Sequence, residues 1–584
     1  MKNSIVYSVV DFFRGNTSLN SSDTLFVSQA LFVWLKLSSE KKLDEHELYI
    51  GSDDISERFK HYIHGMCSGY NYQMRGNFTT DDINFYLLVE QIDHSLQTGL
   101  ISYFEVAEII FEYYNQDSDL ETQAPNELVE LGSGLLSDNI TSVYCPFTAS
   151  YRFAEALSLQ NQQVSLELSS EFDTAWTRMS AELKDAKYHQ EWLPSNPVTN
   201  PAYLDAKGLK QFSHTIAMAP FGLKYSKDIN DIFGRFPEKS LMGEVLQLRH
   251  MLAQSSEQVV TFVNSPFLSR TAAGEKIFKQ SVIKQGWLQA VIALPAKLLN
   301  NTQIAINVLV FNKKNPVDKV LFIDASSDEF IKKGRKSVTL DNIEGILNLF
   351  NNPNLDSELS IEVPISDIEA NEFNILPSRY VLSPEQKKLN KFLASHQTQT
   401  LAEIAELITP QAIKDELGGE IIFNEFGLTH TNGIGELVGE GKQVSTSSMV
   451  SRAKKQQLQS GDILIVNKGA VGKVVIVGDD VCNNAMPSQA FTIVRLSKHI
   501  SNVTPKALFQ YLLSPMGQLQ LNSLSAGQLV TMIGSKDLKT IRILEFLPEQ
   551  IEHAENTFMS IKTLYNKSLE LKAQITELNN ADWL

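Results

Sequence analysis

The spacing of apolar positions changes several times along the chain, and each change predicts a different kind of element. Through residues 1–120 apolar side chains recur every three or four positions, the period of a helix packed on one face. Ser22-Asp23-Thr24 can cap a helix carrying Leu25, Phe26, Ala30, Leu31, Val33 and Trp34. Further helices are predicted at 83–90 and 103–111, completing an N-terminal helical domain. A polar stretch, 115–125, marks its end. Short apolar runs then alternate with helical patterns, at 142–144, 163–168, 214–219, 258–263, 288–294, 306–311 and 320–323. Such alternation predicts a doubly wound α/β sheet, placed over residues 121–385. Over 386–545 the pattern shifts to short strands with glycine turns, among them Gly433, Gly435, Gly439 and Gly441, and a hairpin around Lys468-Gly469. This predicts a mixed α/β domain. Residues 546–584 are helical, with Ile561, Leu564, Ser568, Leu571, Ile575 and Leu578 in the spacing of a coiled-coil seam. Three heptads are marginal alone, so this helix is expected to pack on a partner.

Composition narrows the class. A chain of 584 residues needs several cores, and 43% hydrophobic with 20% charged residues is ordinary for a globular protein. No apolar run approaches the roughly 20 residues that span a bilayer. Asp11 and Arg14 interrupt the first apolar stretch, so no secretory signal is expected. The three cysteines (Cys67, Cys145, Cys482) form no metal-spaced pair, which points to a reducing compartment and no metal site. A net charge of -17 argues against unspecific coating of nucleic acid, so any basic face must be regional.

Three stretches carry candidate chemistry. In the first, a β-branched and aromatic run ending at Tyr144 enters the turn Cys145-Pro146-Phe147-Thr148-Ala149-Ser150-Tyr151, and a helix-forming run follows. Strand, tight turn and helix is the layout of a nucleotide-type cofactor site. Such turns normally place glycine where this chain has Ala149, Ser150 and Tyr151. Glu167, ending the next predicted strand, is placed to accept hydrogen bonds from a ribose; the alternative is a buried turn with a surface glutamate. The second stretch is Met218-Ala219-Pro220-Phe221-Gly222, where Phe221 could stack on a planar ring; the alternative is an ordinary loop. The third gathers Lys442, Arg452, Lys454, Lys455, Lys468 and Lys473, with Asp462 its only acid. It is either a phosphate-binding surface or a solvated face.

Together these pieces resemble the modification (methyltransferase) subunit of type I restriction-modification systems, fused to half of a specificity subunit. The likeness runs through Asp11-Phe-Phe-Arg-Gly15, Ala124-Pro-Asn-Glu-Leu-Val129, the turn at Cys145 and Met218-Ala-Pro-Phe221. It continues through Ile283 to Pro295, Asn300 to Ile304, Val308 to Lys313 and Phe373 to Tyr380. Residues 400–584, with Gly461-Asp-Ile-Leu464, Lys468-Gly-Ala-Val-Gly472 and Leu547-Pro-Glu-Gln550, resemble one target-recognition domain and the specificity subunit's helix.

The resemblance implies an adenine-N6 methyltransferase fold using S-adenosylmethionine, held at Cys145, Pro146, Ala149, Ser150, Tyr151 and Glu167. Met218, Ala219, Pro220 and Phe221 take the catalytic Asn-Pro-Pro-Phe positions. In the family the Asn side chain and the Pro carbonyl accept hydrogen bonds from the adenine amino group, and a thioether at Met218 is a weak acceptor. A ring at Tyr151 is expected to project where the cofactor lies. The reading that follows is a sequence-specific double-stranded DNA-recognition protein of a restriction-modification or phage-defence system, on a catalytically inactive fold. Its alternatives are an active S-adenosylmethionine-dependent adenine-N6 methyltransferase with atypical motifs, and a structural adaptor. A homodimer through the terminal helix, a nuclease or translocase partner and a bacterial cytoplasmic location, away from membranes, complete the expectation.

Overall fold

The computed structural model describes residues 2–581 apart from 16–17, 52–53, 79–81, 116–122, 191–195, 227–228, 239, 300–303, 335–337, 356 and 526–532. Most of the predicted boundary at 115–125 and of the family-like stretch 300–304 lies outside these residues. The chain packs as two compact units, Met1–Val381 and Leu382–Leu584.

The first unit opens with six helices: α1 (Lys2–Gly15), α2 (Ser21–Ser39), α3 (Ile55–Gly69), α4 (Asp82–Gln97), α5 (Tyr103–Tyr114) and α6 (Asn126–Gly134). α2 is buried along its length because apolar residues recur on every face, from Leu25 to Leu35. Its cap is Asn20, not residues 22–24: the Asn20 side chain accepts from the Asp23 N–H. Asp23 points inward and accepts from the Tyr72 hydroxyl and the Arg75 N–H. α5 starts with a reciprocal capping box between Ser102 and Glu105.

The strands of the main sheet are β1 (Val143–Pro146), β2 (Val164–Glu167), β3 (His189–Gln190), β4 (Phe212–Met218), β5 (Ser255–Asn264), β6 (Leu288–Ala293), β7 (Ile306–Asn312), β8 (Lys319–Asp324) and β9 (Ser360–Pro364). Helix α7 (Tyr151–Leu159) follows β1, α8 (Glu171–Lys184) follows β2 and α9 (Gly243–Gln254) precedes β5. Their spatial order is β9-β8-β6-β7-β5-β4-β1-β2-β3. The ladders β3/β2, β2/β1, β1/β4, β4/β5 and β6/β8 are parallel; β7 runs antiparallel to both β5 and β6, and β9 to β8. The sheet is thus mixed, with a helical region before it.

One apolar core runs from Ile5 through Trp34, Phe59 and Phe111 to Phe153, Ile216 and Ile346, so the helices and the sheet share an interior. α6 comes close at Gly132, where an added Cβ would lie 2.9 Å from Phe153 and 3.0 Å from Ile216.

The second unit contains a four-stranded sheet (Ala405–Ile408, Phe491–Leu496, Ile463–Val466, Val474–Ile476) and a three-stranded one (Lys442–Thr446, Ile421–Phe426, Ala485–Pro487). The predicted hairpin is present as the antiparallel pair Ile463–Val466 and Val474–Ile476. The 34-residue helix Pro548–Ala581 ends the described chain.

Candidate functional site

β1, β2 and β4 are adjacent and parallel, so their C-terminal ends share one edge of the sheet. That edge gathers the predicted turn, Glu167 and Met218, although the last two lie far from the turn in sequence. Pro146 pairs with Glu167 in register, and Ser150 Oγ accepts from the Met218 N–H at 3.1 Å while donating to the Pro146 carbonyl. In open α/β sheets ligands commonly bind at such an edge.

The edge is closed by the chain's own side chains. Cys145, Phe147, Thr148, Ala149, Ser150 and Tyr151 are each 3% exposed or less, and Pro146 is buried. Phe147 adopts φ 72°, a left-handed backbone that costs a non-glycine residue on the order of 1–3 kcal/mol. Its ring enters a second apolar core with Val198, Ala217 and Val245. Cys145 holds a thiol that burial pushes well above its ordinary pKa, so it carries no charge. The Tyr151 ring is 1% exposed. It starts α7 and packs edge-on to Phe111, because apolar surface from the helical region lies behind it.

Glu167 is neither a surface residue nor open to a ribose. It is fully buried: one carboxylate oxygen accepts from the Tyr144 hydroxyl and the other from the Ala202 N–H at 2.9 Å. The Tyr144 hydroxyl also lies 2.9 Å from His250 Nε2, and Arg235 donates to His250 Nδ1 at 2.9 Å. A guanidinium can only donate, so Nδ1 is the acceptor and the imidazole proton sits on Nε2, facing Tyr144. The tyrosine then donates onward to Glu167. Burial, and next the Arg235 charge, hold His250 well below its ordinary pKa, so it stays neutral. Arg235 also donates to the carbonyls of Pro197 (3.1 Å) and Val198 (2.7 Å), fastening that segment to the network. His250, Arg235 and Ala202 carry no motif, so the sequence offered no signal for them, and Tyr144 was legible only as the end of a strand run.

At the end of β4, Met218 and Ala219 are buried, at 2% and 6% exposure. Pro220 and Phe221 are half-buried, and Gly222 is exposed. The Pro220 carbonyl accepts from the Gln247 amide at 3.1 Å, and the carbonyl next to position 218, where the family has its first Pro, is that of buried Ala219. No side-chain acceptor stands at position 218.

In the second unit Lys442, Arg452, Lys454, Lys455, Lys468 and Lys473 are all exposed, and none forms a salt bridge among the described residues. Lys442 faces Glu425 across the strand ladder, which makes it the least available of the six. Lys454 and Lys455, on the short helix Val450–Lys455, line an open recess of about 640 Å³ with Ser447, Ser448 and Ser451. Lys468 and Lys473 lie in the loop of the hairpin. Asp462 is buried and taken up by Arg495, at 2.8 and 2.6 Å, and so does not neutralise the exposed cations.

Residues 151–389 match the family model for N-6 DNA methylases. That match begins at Tyr151, just past the closed turn. The chain is 24% identical over 200 residues to the MpnII methylase subunit of a type I restriction enzyme from Mycoplasma pneumoniae, covering 32% of this chain and 36% of that protein. It is 28% identical over 199 residues to the MjaVII methylase subunit from Methanocaldococcus jannaschii, covering 30% of this chain and 34% of that protein. The match thus spans about a third of the length of these curated relatives. Among solved structures, the type I restriction-modification methyltransferase subunit from Streptococcus thermophilus has a TM-score of 0.49 at 14% identity, covering 65% of this chain and 99% of that one. An N-6 DNA methylase domain implies S-adenosylmethionine as cofactor, and these relatives favour the methyltransferase reading over the inactive one. The residues at the turn, as they stand, do not fit that cofactor: its edge is filled and its ribose carboxylate is engaged. No described helix is long and apolar enough to cross a membrane. By sequence, residues 151–389 are similar to the N-6 DNA methylases, and the relatives of this chain are methylase subunits of type I restriction enzymes.

Proposed function

We propose that this chain is a double-stranded DNA-recognition subunit of a restriction-modification or phage-defence system, derived from an adenine-N6 methyltransferase and no longer transferring methyl groups. The observation that carries the reading is the burial of Glu167 between Tyr144 and Ala202 beside a turn with no open face. In this reading 1–120 and 121–385 are the retained helical and methyltransferase-like parts. Residues 386–545 read the DNA through the basic sector, and 546–584 joins two copies so that two half-sites are read. A nuclease or translocase partner and a bacterial cytoplasmic setting belong to the same proposal.

A second reading, an active S-adenosylmethionine-dependent adenine-N6 methyltransferase, is favoured by the family match over 151–389. It requires residues 196–203 and the turn to rearrange around the cofactor.

Calorimetric titration of S-adenosylmethionine into the full chain, with and without duplex DNA, separates the two. The first reading expects no cofactor binding in either condition while DNA is still bound. Micromolar cofactor binding together with methyl transfer would establish the second. In that case Met218→Asn should raise the rate by on the order of 10²–10³, the usual worth of a preorganised acceptor.

A further inference from the structure

Away from the sheet edge, two histidines and a glutamate converge in the helical region. His46 and Glu47 stand in the turn after α2, and His61 lies in α3. The two Nε2 atoms are 3.0 Å apart, and His61 Nε2 is 3.7 Å from Glu47 Oε1. The rings meet at 72° with centroids 4.6 Å apart, so their nitrogen-bearing edges converge and the faces do not stack. Among the described residues this is the only group in which three such donor atoms come within 4.8 Å of one another.

The turn that carries two of the donors is held from behind. Buried Trp34 donates its indole N–H to the Glu47 carbonyl at 2.6 Å, and Arg58 donates to the Glu45 carbonyl at 2.7 Å. The Tyr49 N–H is bound by Ser38 Oγ at 3.0 Å. His46 therefore sits between two anchored carbonyls, and His61 on the rigid helix that supplies Arg58. Both histidines are exposed and reachable from solvent, while Glu47 is half-buried.

We propose that His46, Glu47 and His61 form a binding site for a zinc-class divalent cation. Two imidazoles and a carboxylate are a zinc donor set, and tetrahedral ligands at 2.0–2.1 Å from zinc stand about 3.3 Å apart, between the two separations seen here. Small side-chain rotations bring the three donors onto one ion, leaving one position for water. Copper(II) and nickel(II) compete for such a nitrogen-rich set. The ion ties the turn after α2 to α3. Cysteine spacing gave no hint of it, because no cysteine takes part.

Calorimetric titration of zinc chloride into the metal-free full chain tests the assignment. One equivalent is expected to bind with micromolar or tighter affinity, and the melting temperature to rise with zinc concentration. His46→Ala and His61→Gln should each weaken binding at least tenfold and abolish the thermal shift. Their melting temperatures without zinc should stay unchanged, because both side chains are exposed. His64→Ala, one helical turn beyond His61, should bind as the parent does. Absence of zinc binding, or binding that survives both His46→Ala and His61→Gln, would overturn the proposal.

Discussion

Glu167 shows how one side chain can be correctly placed and wrongly imagined. Its position at the end of a strand is legible, because a short apolar run followed by a carboxylate is a local pattern. Its engagement is not, since Tyr144 lies 23 residues before it and Tyr144 in turn meets His250 across 106 residues. Replacing Glu167 by Gln puts an NH₂ donor against the Tyr144 hydroxyl or the Ala202 N–H. We expect that variant to lose about 1–3 kcal/mol in denaturant unfolding, the usual cost of a mismatched buried group.

A second residue-scale test concerns Glu108. Burial would raise its carboxyl, but the Arg152 guanidinium and then the Lys184 ammonium hold it down at about 2. A folded pKa below the ordinary carboxyl value means the stabilisation is complete above about pH 4.5 and is lost as the pH falls towards 2. It amounts to about 3 kcal/mol. Acid titration of stability should therefore slope steeply in that window, and Glu108→Gln should flatten it.

At the scale of elements, the seven predicted strands of the main sheet all form, because strands buried on both faces are written as continuous apolar runs. β3 and β9 escaped, and in β9 only Ile361 and Val363 alternate with polar residues. β3 is only His189-Gln190, an edge strand with no apolar signature, and the antiparallel insertion of β7 is a matter of topology that no local pattern encodes. The turn at Cys145 was legible as strand, turn and helix; its closure was not, since the covering residues Val198 and Val245 come from elsewhere in the chain. The terminal helix was legible as a helix. Leu564, Leu571, Ile575 and Leu578 are 67%, 50%, 58% and 70% exposed, so this apolar row has no cover among the described residues. If two copies join there, Leu571→Asp with Ile575→Asp should convert a dimer to a monomer in sedimentation velocity without changing the helical signal of the rest.

For the whole molecule, charge is distributed against its own average. The chain carries 68 acidic and 51 basic residues, yet the sector from Lys442 to Lys473 keeps its cations exposed and hides its acid in the Arg495 pair. Lys454→Ala with Lys455→Ala should weaken duplex binding and reduce the dependence of log K on log salt by about 0.9 for each phosphate no longer neutralised. An unchanged slope would make this a merely solvated face and favour the adaptor role.

The common interior of the helical region and the sheet carries a further consequence, for inheritance. Phe111 and Trp34 on one side, and Phe153 and Ile216 on the other, belong to one apolar cluster. Substitutions on the two sides must therefore be accepted in concert, and recombination between related genes that splits them would join mismatched interiors.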